Sequence, residues 1–362
     1  MHRLSLSQNE KQLLHLLRRR GAMPRAALAA ATGLSAQGVT NISRRLIDLG
    51  LLTEGAAQRG RVGQPSVPLA PDPDGALFFG LKIGRRLAEL ALVDFAGHVR
   101  MLRQEITPHP DPDRIRAFAL GGIESLTEAL PPPLRDRIAG LGIAAPFRLW
   151  DWGRDFAVWR GRSLRDELAE ALPFPVLLEN DASTACGAEL VFGAPDLPAD
   201  FLYFYVAHYG GGGLVLDGRL RLGPHGNAGA VGSMPRAGGG QLLDVASVSV
   251  LERRVGHDLP PDDNGWHVPP EIEAEWSAAA GEAMAFSALS AAALCDLSAV
   301  VIDGAVPAAT RARLLADTGA AFARLSHAGL DLPTLREGSL GRHARILGAA
   351  ALPLAEIFLP AG

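Results

Sequence analysis

The sequence predicts an α/β protein fronted by a winged helix-turn-helix, on the strength of three observations. Residues 7–69 hold three short helices and a basic turn of the residue types such an arm uses. The remainder alternates strands and helices twice over, the pattern of a body built from two similar α/β lobes. Charge is split between the two parts: residues 1–70 contain ten Arg or Lys against three Asp or Glu, while the whole chain of 362 residues carries −4. A positive arm on an acidic body is the electrostatic footprint of a nucleic-acid-binding segment.

The arm reads element by element. Ser7 and Glu10 stand three apart as a capping box. The helix behind them carries Leu13, Leu14 and Leu17 on one face. A second helix starts at Pro24, a favoured first-turn residue, and stops at Gly33. A third starts at Ser35, a good N-cap, with Val39, Ile42, Leu46 and Leu49 at helical spacing. Ser35, Gln37, Thr40, Asn41, Arg44 and Arg45 are left for the other face, where such side chains reach base edges and phosphates of double-stranded DNA. After Gly50 a short apolar strand leads to Arg59-Gly60-Arg61-Val62-Gly63-Gln64-Pro65, a basic turn suited to a wing. Arg59 and Arg61 suit a narrow minor groove. A proline-rich linker spans residues 65–73.

Strands at 77–83, 87–94 and 99–105, joined by short turns, predict an antiparallel meander at the edge of a mixed sheet. Helix 113–129, strand 138–144, helix 163–172, strand 176–178 and helix 181–191 follow. The second round is strand 201–207, a glycine run, strand 214–216, several helices, strand 299–302 and helix 307–324. Clefts between such lobes are common small-molecule sites. Cys186 and Cys295 lie far apart and at no ligand spacing, which reads as reduced thiols. The polar, then amphipathic N-terminus reads as no signal peptide, and no apolar run reaches membrane-span length. The expectation is a cytoplasmic protein with no membrane partner.

Four stretches, in order behind the arm, resemble the ROK family of bacterial repressors and sugar kinases. They are Gly63-Gln64-Pro65-Ser66-Val67-Pro68-Leu69 through Gly80-Leu81-Lys82-Ile83-Gly84; Glu179-Asn180-Asp181-Ala182-Ser183; residues 210–213 with Asp217-Gly218 and Gly226-Asn227-Ala228-Gly229; and Leu340-Gly341 with Gly348-Ala349-Ala350. The resemblance implies a two-lobed, actin-like (ribonuclease-H-like) ATPase-type body, a sugar in the cleft, and a homodimer or homotetramer. Domain bounds follow as 1–69 for the winged arm, 70–182 for the first lobe and 183–362 for the second, the C-terminal helix free to return to the first lobe.

The same resemblance shows what the cleft has kept and lost. Asp181 stands where family kinases keep their base, and Asn180 beside it suits sugar hydroxyls; the bland alternative is that the pair caps helix 181–191. Lys82-Ile83-Gly84-Arg85-Arg86 replaces the Asp-x-Gly-Gly-Thr of the kinases, and Ala207-His208-Tyr209 replaces the Gly-Thr-Gly of the second phosphate loop. The adenosine stretch is reduced to Ile302-Asp303-Gly304-Ala305-Val306. Ala230 and Ser233 stand for the sugar-binding Glu and the zinc-linked His, and Gly238-Gly239-Gly240-Gln241 for the cysteine cluster, so neither zinc nor ATP turnover is expected. Asp244 aligns with a second sugar-contacting Glu. A ligand would then be held by Asn180, Asp181, Asp244 and loop groups near His225 and Asn227. Trp150, Trp152 and Trp159 read as packing or as a stacking surface for a sugar, and Arg148, Arg154 and Arg160 as solvated charge or contacts for an anionic ligand.

The function expected is a non-enzymatic regulator of carbohydrate uptake or catabolism genes, a repressor binding an operator and answering to a carbohydrate-like ligand, without cofactor or metal. A sugar kinase carrying a DNA-binding arm and an orphan regulator without effector are the alternatives.

Overall fold

The computed structural model describes residues 4–57, 66–107, 110–146, 150, 154–236, 238–260 and 265–360. The chain divides into two units, Met1–Asp181 with Ile346–Gly362, and Ala182–Arg345.

In the first unit, α1 (Gln8–Arg20) opens on its capping box. The Ser7 amide donates to Glu10 Oε2 at 2.7 Å and the Glu10 amide to Ser7 Oγ at 3.3 Å. Leu13, Leu14 and Leu17 are buried. Next come β1 (Met23–Pro24), α2 (Arg25–Thr32) and α3 (Ala36–Asp48). Pro24 is not in the first turn of α2 but just before it, extended and paired with Pro68. Gly33 ends α2 at φ +72°, the left-handed conformation glycine adopts without a Cβ penalty. Ser35 caps α3 by accepting the Gly38 amide at 3.0 Å. Val39 and Leu46 are buried, but Ile42 and Leu49 are only half-buried, and Ser43 takes an inward place. Its hydroxyl accepts from Arg25 Nε at 2.9 Å and donates to the Thr40 carbonyl at 3.1 Å, so the polar group is satisfied.

β2 (Leu52–Glu54) pairs antiparallel with β3 (Pro68–Pro71), giving a three-stranded sheet of order β1-β3-β2. From residue 68 the expected linker is therefore the central strand of the winged sheet. Its prolines stand at the two ends, leaving Leu69 and Ala70 able to donate. The wing turn from Arg59 to Pro65 lies outside the described residues.

Three antiparallel strands, β4 (Leu77–Ile83), β5 (Leu87–Asp94) and β6 (Val99–Ile106), continue the unit. After α4 (Pro112–Glu128) and α5 (Pro132–Arg135), β7 (Ile138–Ala145) pairs parallel with β4. Beyond α6 (Leu164–Ala171), β8 (Val176–Asn180) pairs parallel with β7, giving the order β6-β5-β4-β7-β8.

The second unit starts within α7 (Asp181–Phe192) and repeats that topology. β9 (Phe201–Val206), β10 (Gly211–Leu216) and β11 (Arg219–Arg221) form the meander. After α8 (Leu243–Ala246), α9 (Val248–Val255) and α10 (Pro270–Cys295), β12 (Ala299–Gly304) adds parallel to β9. β13 (Thr334–Glu337) follows α11 (Ala308–Arg324) and adds parallel to β12, for the order β11-β10-β9-β12-β13. The glycine run is not a turn: three of its four residues lie in β10, opposite Tyr203, Phe204 and Tyr205. A Cβ on Gly212 would lie 1.8 Å from the Tyr203 carbonyl oxygen, and one on Gly213 2.4 Å from Cys186 Cβ. Helix α10, contrary to expectation, is long and apolar enough to cross a membrane; half of its most apolar 18-residue stretch is buried, and Trp276, Ala280, Met284 and Ala288 are core of this unit.

Helix α12 (Ala344–Phe358) leaves the second unit after Arg345 and packs on the first sheet. It rests on strands whose glycines make room: a Cβ on Gly80 would lie 2.5 Å from the Ile346 carbonyl oxygen, and one on Gly142 1.8 Å from that of Ala349. Gly142→Ala is therefore expected to cost about 3 kcal/mol or more, because backbone must move. Gly121→Ala in α4, where a Cβ would meet nothing within 4 Å, is expected to stabilise by about 0.5–1 kcal/mol. Thermal and denaturant unfolding of the two variants checks both signs.

Candidate functional site

Helix α3 presents Gln37, Asn41 and Arg44 exposed on one side, with Thr40 half-buried among them. Gln37 Nε2 donates to Asn41 Oδ1 at 2.9 Å, one turn apart, and Thr40 Oγ1 donates to the Ala36 carbonyl at 2.8 Å. Ser35 is spent on its cap. Arg45, expected beside Arg44, is an ion-pair partner of Glu10, and its Nη2 donates to the Ser5 carbonyl at 3.3 Å. Glu10 is 2% exposed, so its second oxygen, not needed by the capping box, requires a cation. Arg45 ties α3 to α1. Arg59 and Arg61 lie outside the described residues.

The stretches at phosphate-loop positions have their polar groups paired within the protein. Lys82 is ion-paired with Glu89 across the β4–β5 hairpin, and Glu89 also accepts Gln104 Nε2 at 2.9 Å. The Gly84 amide donates to the Leu87 carbonyl at 3.0 Å. In the second unit the Gly210 amide donates to Ser247 Oγ at 2.8 Å, and the Ser249 amide to the His208 carbonyl at 3.1 Å. His208 Nδ1 lies 2.7 Å from Glu252 Oε2. Asp303, fully buried at the end of β12, accepts the Gly304 amide at 2.8 Å and the Gly341 amide at 3.1 Å.

Asn180 and Asp181 end the first unit, at the junction of β8 and α7, both half-buried. The neighbouring Glu179 carboxylate accepts the Asn180 amide at 2.7 Å, and burial pushes its pKa up. Asp244, His225 and Asn227 belong to the second unit and are exposed. Asp244 Oδ2 accepts the Gln241 amide at 2.7 Å, so it shapes the glycine-rich turn beside it. Asn227 is held in its loop through its carbonyl, which accepts the Ala230 amide at 3.1 Å. Trp159 is packing rather than a stacking surface: it is 5% exposed and its indole N–H donates to the Pro110 carbonyl at 2.6 Å. Trp150 is half-buried and Arg160 exposed. Arg148 and Trp152 lie outside the described residues, as does the side chain of Arg154.

Sequence reasoning missed a buried carboxylate cluster in the second unit. Tyr203 donates its hydroxyl to Asp303 Oδ2 at 2.9 Å, and Arg311 Nε approaches Asp303 at 3.8 Å. Glu189, on α7 and 1% exposed, accepts the Ser339 hydroxyl at 2.9 Å and the Ser339 amide at 3.2 Å. Tyr203 and Asp303 stand 100 positions apart along the chain and Glu189 and Ser339 150 apart, so no local spacing signals these pairs. Burial raises the pKa of Glu189 and of Asp303, and the Asp303 charge adds to the rise at Glu189. The folded state thus keeps these protons at pH values where the unfolded chain has released them. Their contribution to stability is full below the ordinary carboxylate range and is lost as pH climbs through the raised values. Glu189→Gln should reduce the fall in unfolding temperature between pH 4 and pH 7 relative to the parent protein; parallel profiles would oppose this linkage.

The model of the ROK family matches residues 78–242. A relative from Sinorhizobium fredii, the uncharacterized protein y4fQ, is 26% identical over 98% of this chain and 92% of its own length. The DNA-binding transcriptional dual regulator NagC of Escherichia coli is 24% identical over 67% of this chain, a match spanning 61% of that protein's length. Among solved structures, a ROK family transcriptional regulator described as a homologue of the E. coli MLC protein aligns at TM-score 0.68, with 21% identity over 96% of this chain and 95% of its own. A ROK family glucokinase from Streptomyces griseus, in complex with glucose and AMPPNP, aligns at TM-score 0.58, with 21% identity over 76% of this chain and 99% of its own. These neighbours share the actin-like, two-lobed fold class. The likeness to the ROK family thus covers residues 78–242.

Proposed function

We propose that this chain is a DNA-binding transcriptional regulator, acting as a repressor of carbohydrate uptake or catabolism genes. The observation that carries the reading is the exposed polar face of α3 in a winged arm, with Gln37, Asn41 and Arg44 side by side. In a homodimer or homotetramer, two such helices would enter successive major grooves of an operator, with Arg44 on phosphate and Gln37, Thr40 and Asn41 toward bases. Arg59 and Arg61 are proposed wing contacts. Asn180, Asp181, Asp244, His225 and Asn227 are the proposed ligand groups. A carbohydrate-like ligand would weaken operator binding by favouring the state that does not fit DNA.

Non-enzymatic action is supported by the amides at the phosphate-loop positions. Phosphate binding needs N–H groups aimed outward and unspent. Here Gly210 donates to Ser247, Gly304 and Gly341 donate to Asp303, and Lys82 is paired with Glu89. A sugar kinase with a DNA-binding arm is the second reading, favoured by Asp181 and by the kinase among the structural neighbours. A coupled assay for ADP release over hexoses and hexosamines is expected to show no turnover; turnover abolished by Asp181→Asn would establish the kinase.

The two arginines of α3 are expected to separate. Arg44→Ala should weaken operator binding and reduce the log–log salt slope by about 1, since one phosphate contact is lost. Arg45→Ala should instead destabilise the protein by about 1–2 kcal/mol, because Glu10 is left buried without its cation. Fluorescence anisotropy at several salt concentrations, paired with thermal unfolding, reads both effects.

A further inference from the structure

We propose that a cavity in the first unit receives an apolar group attached to the ligand, so that the effector is an apolar-substituted sugar, of the aryl glycoside class, rather than a free hexose. The cavity measures about 350 Å³ and opens at the C-terminal ends of β4 and β7, where Ile83 and Ala145 line it. Ligands of parallel α/β sheets favour such strand ends. Leu164, Leu178 and Trp150 complete an apolar wall. Leu178 is 36% exposed, so this apolar surface faces outward rather than into the core.

Four polar side chains around the cavity bond within the protein. The Trp159 indole donates to the Pro110 carbonyl at 2.6 Å. Arg162 pairs with Glu167 at 2.7 Å and with Asp113 at 2.8 Å. Ser163 donates its hydroxyl to Asp166 at 2.6 Å, and Arg165 pairs with the same carboxylate at 2.6 Å. A bare sugar placed here would bury hydroxyls against carbon and lose their hydrogen bonds to water. An aromatic or alkyl group loses nothing of that kind and gains by burial. Trp150 adds a flat face for a ring.

The cavity also adjoins a proposed polyol contact. Ala145 is the register partner of Asn180 across the β7–β8 pair, and Leu178 stands two residues before Asn180 on the same face of β8. One ligand could therefore place hydroxyls at Asn180 and an apolar substituent beside Leu178. The sugar half of this proposal rests on the regulator reading above; the apolar half rests on the cavity.

The test is isothermal titration of the full chain with matched pairs: phenyl β-glycosides of glucose, galactose and N-acetylglucosamine against the free sugars. At least one phenyl glycoside should bind about tenfold or more tightly than its parent. Leu178→Asp, at a partly exposed position, should abolish that preference, as should Trp150→Ala; thermal unfolding checks that each variant is folded. Equal affinities, a preference for free sugars, no binding by any compound, or a preference that survives in both variants would each overturn the proposal. Operator binding by the unliganded parent protein is measured separately. Its presence without any glycoside preference rejects the cavity assignment alone, and its absence rejects the regulator reading.

Discussion

The organisation of the first unit depends on how closely α12 lies on the sheet. Its backbone sits where side chains of β4 and β7 would stand if Gly80 and Gly142 carried them, and its Pro353 ring where one on Gly140 would. Pro353 contributes to this closeness. Lacking an N–H, it cannot donate to the Ala349 carbonyl one turn back, and that carbonyl is the group resting against Gly142. The far end of the helix brings Phe358 to 4.8 Å from the Phe95 ring and 5.8 Å from Phe78. The guanidinium of Arg18, on α1, covers Phe95 at 5.2 Å and donates to its carbonyl. Burial there pulls the Arg18 pKa down to about 10, against the opposing charge of Asp94. Lys11 reaches the Glu356 carbonyl at 3.2 Å, and Arg137 reaches that of Leu49 at 2.8 Å. The winged arm is thus seated on the lobe through aromatic packing and charge-assisted hydrogen bonds rather than tethered by a flexible strap.

The same helix begins in the second unit, where Ala344 is core and Arg345 lies 4.6 Å over the Tyr205 ring. Tyr205 belongs to β9, the strand that leads into the His208–Gly210 turn. The second unit has its own economy of hydrogen bonds. Buried carboxylates and a serine hydroxyl satisfy loop amides that a phosphate would otherwise need, with Tyr203 and Arg311 completing the set around Asp303. The cost of burying Asp303 and Glu189 is met by donors from three segments, which draws the 338–341 turn onto the sheet edge.

What was legible in the sequence was local in origin. The capping box at Ser7, the stop at Gly33, the Ser35 cap and the ends of β4 and β5 follow from side chains acting on their own backbone or from short apolar runs. The repeat of a meander followed by strands and helices was legible too, because strand order follows from short connections. Positions decided by partners far along the chain were not. Residues 68–71 read as linker because their pairing partners lie at 23–24 and 52–54. Residues 211–213 read as a loop because glycine carries no strand signal, yet the approach of the Tyr203 backbone and Cys186 admits nothing larger.

The candidate site divides in the same way. Composition and spacing alone determined a basic winged arm with a polar helix face and an α/β body of two lobes; the family resemblance marked the loops that depart from the kinase pattern. Only the tertiary structure decided that Arg45 belongs to Glu10, that Lys82 belongs to Glu89, that Trp159 is committed to Pro110, and that Ile83, Ala145 and Leu178 line one cavity. The physical reason is common to the three pairings. A side chain's type fixes what it can bond to, but the partner is whichever group the fold brings within about 3 Å, and in each case that group lies on another element of the chain.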